Sequence, residues 1–353
     1  MPCTIIVGGQ WGDEAKGKMA SYLALKDGVD LAVRAGLGPG AGHTIVHGGR
    51  THKLRQVPSA VVNGRTRLLL GAGVLVNPAV LLREIEELGV TDRIGVDFRA
   101  TVIDPGHIEA ERRDRNLTDT VRSTGSGHGP ALAARALRNA RRAVDVPELA
   151  PYLADVAVEV NGAVDAGAQV QVEGTNGFGL SVLYGTYPHT VGKDSTASTA
   201  AADAGLGPLA VDDVVLVFRA YPTRVGAGAF PTELPEREAE RIGIEYGTVT
   251  GRRRRMGRFD LEQAREAVRI NRPSRVAVSF LDYAAPEVRG RREGPLPPGP
   301  AADLVDEIER ELGVRVDLIG TGPGTDEVID LRPAPDPAGT GTTALLPRTR
   351  SNA

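Results

Sequence analysis

Two acids and two lysines crowd one glycine-rich turn near the start of the chain, Gly12-Asp13-Glu14-Ala15-Lys16-Gly17-Lys18. Glycine N–H groups and lysine ammonium groups suit phosphate, and a carboxylate among them can take a proton or hold a cation. The spacing fits G-x-x-x-x-G-K of a phosphate-binding loop, but the next residue is Met19, where that loop carries the Ser or Thr that holds Mg²⁺. Asp13 can supply that oxygen itself. A plain strand-to-helix turn with acids at the positive end of the helix dipole explains the same residues.

Four further stretches carry chemistry. Gly36–Thr44 reads GLGPGAGHT, which sets His43 beside glycines that let backbone approach a ligand; a surface turn with an idle histidine reads the same. Ser123–Pro130, STGSGHGP, runs into a basic helix expected over Pro130–Val144 that carries Arg135, Arg138, Arg141 and Arg142. It is either a second phosphate seat or an ordinary capped helix start. Glu173–Lys193 places a long Gly/Thr/Asn loop after a strand that ends in an acid, as ligand-lining loops on α/β scaffolds do. Gly247–Arg255, GTVTGRRRR, is a solvated or nucleic-acid-facing run, or a grip on a small dicarboxylate through paired guanidinium–carboxylate bonds. Asp282, at the end of an expected strand Arg275–Leu281, can accept from a guanine base.

The elements that must position these groups alternate. Strands are expected at Thr4–Val7, Leu31–Arg34, Thr44–His47, Arg67–Leu70, Ile94–Asp97, Ala168–Glu173, Asp213–Tyr221, Arg275–Leu281 and Arg315–Ile319. Most are continuous apolar runs, the pattern of strands covered on both faces. Helices are expected at Lys16–Leu25, after Asn77-Pro78 up to Gly89, at Pro151–Ala166, from Asp260 to Ile270, and at Ala301–Leu312 with Gly313 as the stop. The alternation predicts a single α/β domain around a large, mostly parallel sheet covered by helices. Residues 1–331 form that domain; Arg332–Ala353, rich in Pro, Gly and Thr and without periodicity, reads as a disordered tail.

Composition narrows the function. The 353 residues suffice for a large core, with 41% hydrophobic and 25% charged. A net charge of −3 and only 4% aromatics argue against nucleic-acid binding. One cysteine, Cys3, rules out an intramolecular disulfide and a multi-cysteine metal site. No basic-then-apolar leader and no apolar run of about 18 residues is present, so no membrane partner and a cytoplasmic location are expected.

Taken together and in order, GGQWGDEAKGK, AGHT, TGSGHGP, VEGTNGFG, YGTYP, YPTRVGAGAFPTEL, GTVTGRRRR and IGTGP make the chain resemble adenylosuccinate synthetase, in the short form typical of archaea. The resemblance spans about Cys3 to Leu331. It implies a nucleotide site like that of P-loop NTPases and a carbon–nitrogen ligase that joins L-aspartate to a 6-oxopurine nucleoside monophosphate, using GTP or ATP and Mg²⁺. A base removes the N1 proton, O6 takes the γ-phosphoryl group, and the aspartate amine displaces phosphate at C6. By resemblance Asp13 is the base and, with the Gly42 carbonyl, a metal ligand; His43 is the acid at O6, and Lys16 neutralises phosphate. Gly12, Glu14, Ala15, Gly17, Lys18 and Thr44 would line the NTP, with Asp282 and Thr321-Gly322-Pro323 at its base. Gly40, Ala41, Ser123, Thr124, Asn176, Thr190, Val191 and Arg224 would hold the purine nucleotide, with Arg138 reaching in from the partner of a homodimer. Thr250, Arg252 and Arg254 would bind aspartate.

The chain departs from the family pattern at Gly40 (Asn in the family), Asn176 (Gln) and His189-Thr190-Val191 (Tyr-Val-Thr). Lesser departures are Ala15 for Gly, Arg258 for Trp, and Phe280 where longer bacterial members have Lys. The first three line the purine site by resemblance, which points to a purine with a 2-amino group. Viral relatives use dGMP to make a 2-aminoadenine precursor. The expected substrate is therefore (d)GMP, giving 2-aminoadenylosuccinate nucleotide, in a host cytoplasm if the source is viral. The alternative is IMP, giving adenylosuccinate.

Overall fold

The computed structural model describes residues 3–247 and 251–333. Thr250 and positions 334–353 of the expected tail lie outside them. Arg332 is held by Asp27, at 2.8 and 2.9 Å, and by Asp330.

Ten strands form one sheet in the order Val328–Asp330, Val316–Gly320, Arg275–Ser279, Asp213–Arg219, Cys3–Gly8, Val170–Glu173, Leu31–Arg34, Arg67–Leu70, Ile94–Asp97, Leu153–Ala154. Every pairing is parallel except the one that adds Val328–Asp330. The first strand of the chain is central. Its side chains alternate between two cores. Ile5 and Val7 pack with small residues of the helices Ala197–Ala204 and Leu261–Asn271. Ile6 packs with Met19, Ala20 and Leu23 of the helix Lys16–Lys26. Two-sided burial explains the continuous apolar runs.

Several boundaries differ from expectation. The basic helix is His128–Ala136 and ends before Arg138, which has φ 63°. The segment beyond is drawn into extended contact instead: Val102 N–H donates to Arg141 O and Ala143 N–H to Ala100 O. The run from Pro151 is a 3-10 turn (Pro147–Tyr152) and an edge strand, and the α-helix, Val156–Asp165, starts only after Asp155, whose side chain accepts from Val158 N–H. His43–His47 pairs antiparallel with Arg50–Leu54, off the main sheet. The strand from Arg275 ends at Ser279, so Asp282 lies on the helical turn Leu281–Ala284. The helices after Asn77, after Asp260 and before Gly313 stand as expected, with Asn77 and Asp260 accepting from Val80 and Gln263 N–H.

Candidate active site

The segments at Gly12, Gly36, Glu173 and Asp282 follow C-terminal ends of parallel strands, where open α/β sheets bind ligands, whereas Ser123–Pro130 and Gly247–Arg255 follow helical segments. After Gly8 the chain makes its glycine turn, and Glu14 folds back into it. One oxygen of Glu14 accepts from Gln10 N–H (2.9 Å) and Gly12 N–H (2.8 Å), and the other from Lys16 Nζ (2.7 Å). A carboxylate thus sits on the donors that suit phosphate. Ala15 enters the helix at φ 60°, the left-handed region, where the family it resembles has glycine. Lys16 and Lys18 are buried in the first helical turn, at the unfavourable end of the dipole for cations. Lys18 Nζ donates to the carbonyls of Gly322 (2.6 Å) and Glu327 (2.7 Å), and burial brings its pKa down to about 8. Gly17 is required by packing, since a Cβ there would lie 2.8 Å from His43 Cβ.

A cavity of about 370 Å³ opens beside this turn. It is lined by Gly12 and Asp13, by Gly40, Ala41 and Gly42, by Ser123 and Thr124, and by Asn176, Thr190, Val191, Arg224, Arg252 and Arg254. All eight residues expected around the purine nucleotide within one chain meet here. Arg138 is exposed and does not line it. Asp13 Oδ1 is 3.1 Å from Arg254 Nη2, and Oδ2 accepts from Thr223 Oγ1 at 3.2 Å. Burial pushes the Asp13 carboxyl above its ordinary value, against the pull of Arg254 and Arg219. Glu245 ties both arginines together, pairing with Arg219 Nη2 and with Arg254 Nη1 (2.7 Å). Arg252 donates to the backbone carbonyls of Arg122 and Ser123. Arg224 stacks 4.1 Å over Trp11, and burial lowers it to about 10.

His43 lies behind this cavity, buried. Its Nδ1 contacts both Arg34 Nη1 and Glu173, whose carboxylate also takes Arg34 (2.8 Å) and the N–H and hydroxyl of Ser59 (each 2.6 Å). These contacts hold the ring by Nδ1 and leave Nε2, buried and without a partner among the described residues, as the atom that can meet a substrate. Burial and Arg34 bring His43 down to about 4. Burial works to raise Glu173, but Arg34 and His43 hold it at about 2. Thr44 is exposed on the hairpin.

Asp282, Thr321, Gly322 and Pro323 gather with Lys18 at the ends of the Arg275–Ser279 and Val316–Gly320 strands, outside the cavity. Burial raises the Asp282 carboxyl. Phe280, with φ 56°, places its ring 3.8 Å under Arg219.

The three purine-site departures each have a local cause. A Cβ on Gly40 would lie 2.4 Å from His128 Cε1, so the imidazole occupies the place of a side chain. Asn176 has φ 62°, a region asparagine tolerates better than glutamine. Val191 packs against the apolar cluster of Leu37, Leu75, Ile103 and Ala131. Sequence reasoning missed Trp11, Glu111, His128 and Glu245. Glu111 is buried, accepts from Ser123 Oγ, and has its other oxygen at the cavity without a partner among the described residues. The quoted motifs carried two of the four, Trp11 in GGQWGDEAKGK and His128 in STGSGHGP.

Among the described residues no group of three or more His, Cys, Asp or Glu is arranged for a metal. Asp13 and the Gly42 backbone do share the cavity wall. One carboxylate and one carbonyl fit Mg²⁺, which takes its remaining oxygens from water and substrate phosphate.

The family model for adenylosuccinate synthetase matches residues 5–148 and 146–289. Adenylosuccinate synthetases of Thermococcus sibiricus and of a Pyrococcus species (strain ST700) are 52% and 50% identical over 336 residues, covering 94% of this chain and 99% of each relative. The fully ligated adenylosuccinate synthetase of Plasmodium falciparum shares the fold with a TM-score of 0.86 at 23% identity, over 93% of this chain and 99% of that one. The succinoaminodeoxyadenylate synthetase of cyanophage S-2L, solved with dGMP and dATP as energy donor, gives 0.78 at 27% identity, over 94% of this chain and 96% of that one.

Proposed function

We propose that this chain, which belongs to the adenylosuccinate synthetase family of carbon–nitrogen ligases, joins L-aspartate to C6 of IMP at the expense of GTP. The observation that carries the reading is the shared cavity: Asp13, the Ser123–Thr124 turn and the Arg252/Arg254 pair all face it. Asp13 takes the N1 proton of the purine. Its raised pKa suits a base that must hold a proton through the transition state. Arg254, released from Asp13 yet still anchored by Glu245, turns to a carboxylate of the incoming aspartate. His43 is the acid at O6: Nε2 carries the proton there and donates to that oxygen as negative charge builds on it, with Nδ1 steadied by Glu173 and Arg34. Lys16 neutralises phosphate once Glu14 gives up the loop N–H groups. Mg²⁺, held by Asp13 and the Gly42 carbonyl, would neutralise charge on the transferring phosphoryl group. Asp282 and the Thr321–Pro323 turn meet the NTP base. The working form is a cytoplasmic homodimer in which the partner supplies Arg138.

Gly40, Asn176 and Val191 set the (d)GMP reading apart from the IMP reading, and the local packing of each accounts for its change without a 2-amino group. The relatives near 50% identity, all adenylosuccinate synthetases, also favour IMP. The likeness to the cyanophage enzyme keeps the other reading as the rival outcome. The test offers IMP, dIMP, GMP and dGMP separately to the purified protein with L-aspartate, Mg²⁺ and GTP or ATP, following phosphate release and succinyl-adduct absorbance. Turnover is expected with IMP. Turnover with dGMP and little with IMP would overturn this reading in favour of 2-aminoadenine nucleotide synthesis.

A further inference from the structure

We propose that His128 takes over the work of a side chain at position 40, donating its Nδ1–H to the 5′-phosphate of the purine nucleotide and so setting the affinity of that site. The inference rests on the nucleotide reading of the cavity above.

The geometry begins at the backbone. Gly40 N–H donates to His128 Nε2 at 3.2 Å. An imidazole that accepts there carries its proton on Nδ1 when neutral. Burial brings the ring down to about 4, so near pH 7 it is neutral and of one tautomer. Among the described residues Nδ1 has no partner, and His128 lines the cavity. A donor is therefore fixed in direction and unspent.

Its setting suits phosphate. His128 is the first residue of the helix His128–Ala136, preceded by Gly127 with φ 83°, and follows the Thr124 and Ser126 hydroxyls, 2.9 Å apart. Hydroxyls, a helix start and a neutral N–H donor together form an anion seat. The adjacent acid, Glu111, accepts from Ser123 and favours a proton on the ring, while Arg55 opposes it. Gly40 and His128 are also mutually exclusive in bulk, given the 2.4 Å approach of a Cβ at position 40 to His128 Cε1. One position must be small for the other to be large.

That exclusion supplies the test. His128→Ala should raise KM for the purine nucleotide by roughly 10- to 100-fold, the worth of one hydrogen bond to a charged group, and leave kcat within a few-fold. Gly40→Asn alone should do likewise by collision. The double variant Gly40→Asn/His128→Ala should regain most of the lost affinity, and His128→Asn, which keeps a donor, should stay near wild type. A double variant no better than the worse single one would overturn the exchange. Ribose 5-phosphate, titrated calorimetrically, separates phosphate from base: its Kd should rise in His128→Ala by the same factor as KM. An unchanged Kd would overturn the phosphate contact. The calorimetric arm needs no turnover, so it stands apart from failure of the IMP reading itself.

Discussion

Two glycine turns of this molecule share one backbone plan and differ in charge. Each ends in a left-handed residue, Ala15 (φ 60°) or Gly127 (φ 83°), and each feeds a helix whose N-terminus has no side-chain cap. The first turn carries its own anion: Glu14 occupies the loop N–H groups and pairs with Lys16. The second holds the Thr124 and Ser126 hydroxyls and the neutral His128 imidazole, with the Glu111 carboxylate bonded to Ser123 beside them and no lysine in its first helical turn. A strongly charged seat must be closed on itself when empty, because buried lysines at a helix start cannot stand unpaired. A seat with no buried lysine carries no such penalty and can wait open. On the proposed function, opening the first turn costs free energy that NTP binding would supply, whereas the second would need no such opening.

The comparison can be broken first at its charges. Glu14→Gln leaves Lys16 buried without its partner and should destabilise by about 3–5 kcal/mol, measured by urea unfolding. Ser123→Ala in the second turn removes only the hydroxyl bonded to Glu111 and should cost about 1–3 kcal/mol. Equal losses would mean that charge is not what distinguishes the turns.

Acid should act on both turns through one histidine each, His43 packed on Gly17 and His128 within the second turn. Both are brought down to about 4 in the folded protein. Between an unfolded pKa of about 6.5 and that value, the unfolded chain binds protons that the native one refuses. Stability is thus complete above about pH 6.5 and falls as pH drops toward 4, on the order of 3 kcal/mol per ring. Unfolding free energies at pH 7.5, 6 and 5 would show the slope, and His128→Asn should remove about half of it.

The smallest effects concern the left-handed residues, and they should have opposite signs. Ala15→Gly relieves a side chain held at positive φ and should stabilise by about 1 kcal/mol. Gly127→Ala adds strain and a Cβ only 2.8 Å from Ile103 Cγ2, and should destabilise by about 1–3 kcal/mol. Melting temperatures of the two variants check both signs; a shared sign would mean that the turns are not built alike.

The parallel sheet and the strand-end placement of the motifs were legible because both follow from local patterns: apolar runs, caps and glycine punctuation. The cavity wall was legible for the same reason, since Gly40, Ser123, Asn176 and Arg254 each stand in a motif. Side-chain partnerships across long sequence separations were not. Nothing local in GDEAKGK says that Glu14 folds back onto Gln10 and Gly12, and Gly40 reads as a lost side chain until His128 is seen 88 positions on to fill its place. The overlong helices failed similarly. Helical spacing continues past Ala136, but pairing with Ala100 and Val102 pulls the chain out.

The central position of the Cys3–Gly8 strand has a consequence for how the protein comes into being. Its two neighbours are Val170–Glu173 and Asp213–Arg219, so during synthesis this strand meets no sheet partner until the chain has been made past Val170. Contacts of such sequence separation give a high contact order, and high contact order slows folding. An apolar strand with both edges open is meanwhile a template for pairing with other chains. Productive synthesis of this molecule therefore depends on keeping its opening residues shielded during translation, and N-terminal fragments that stop short of Arg219 leave that strand with an unpaired edge.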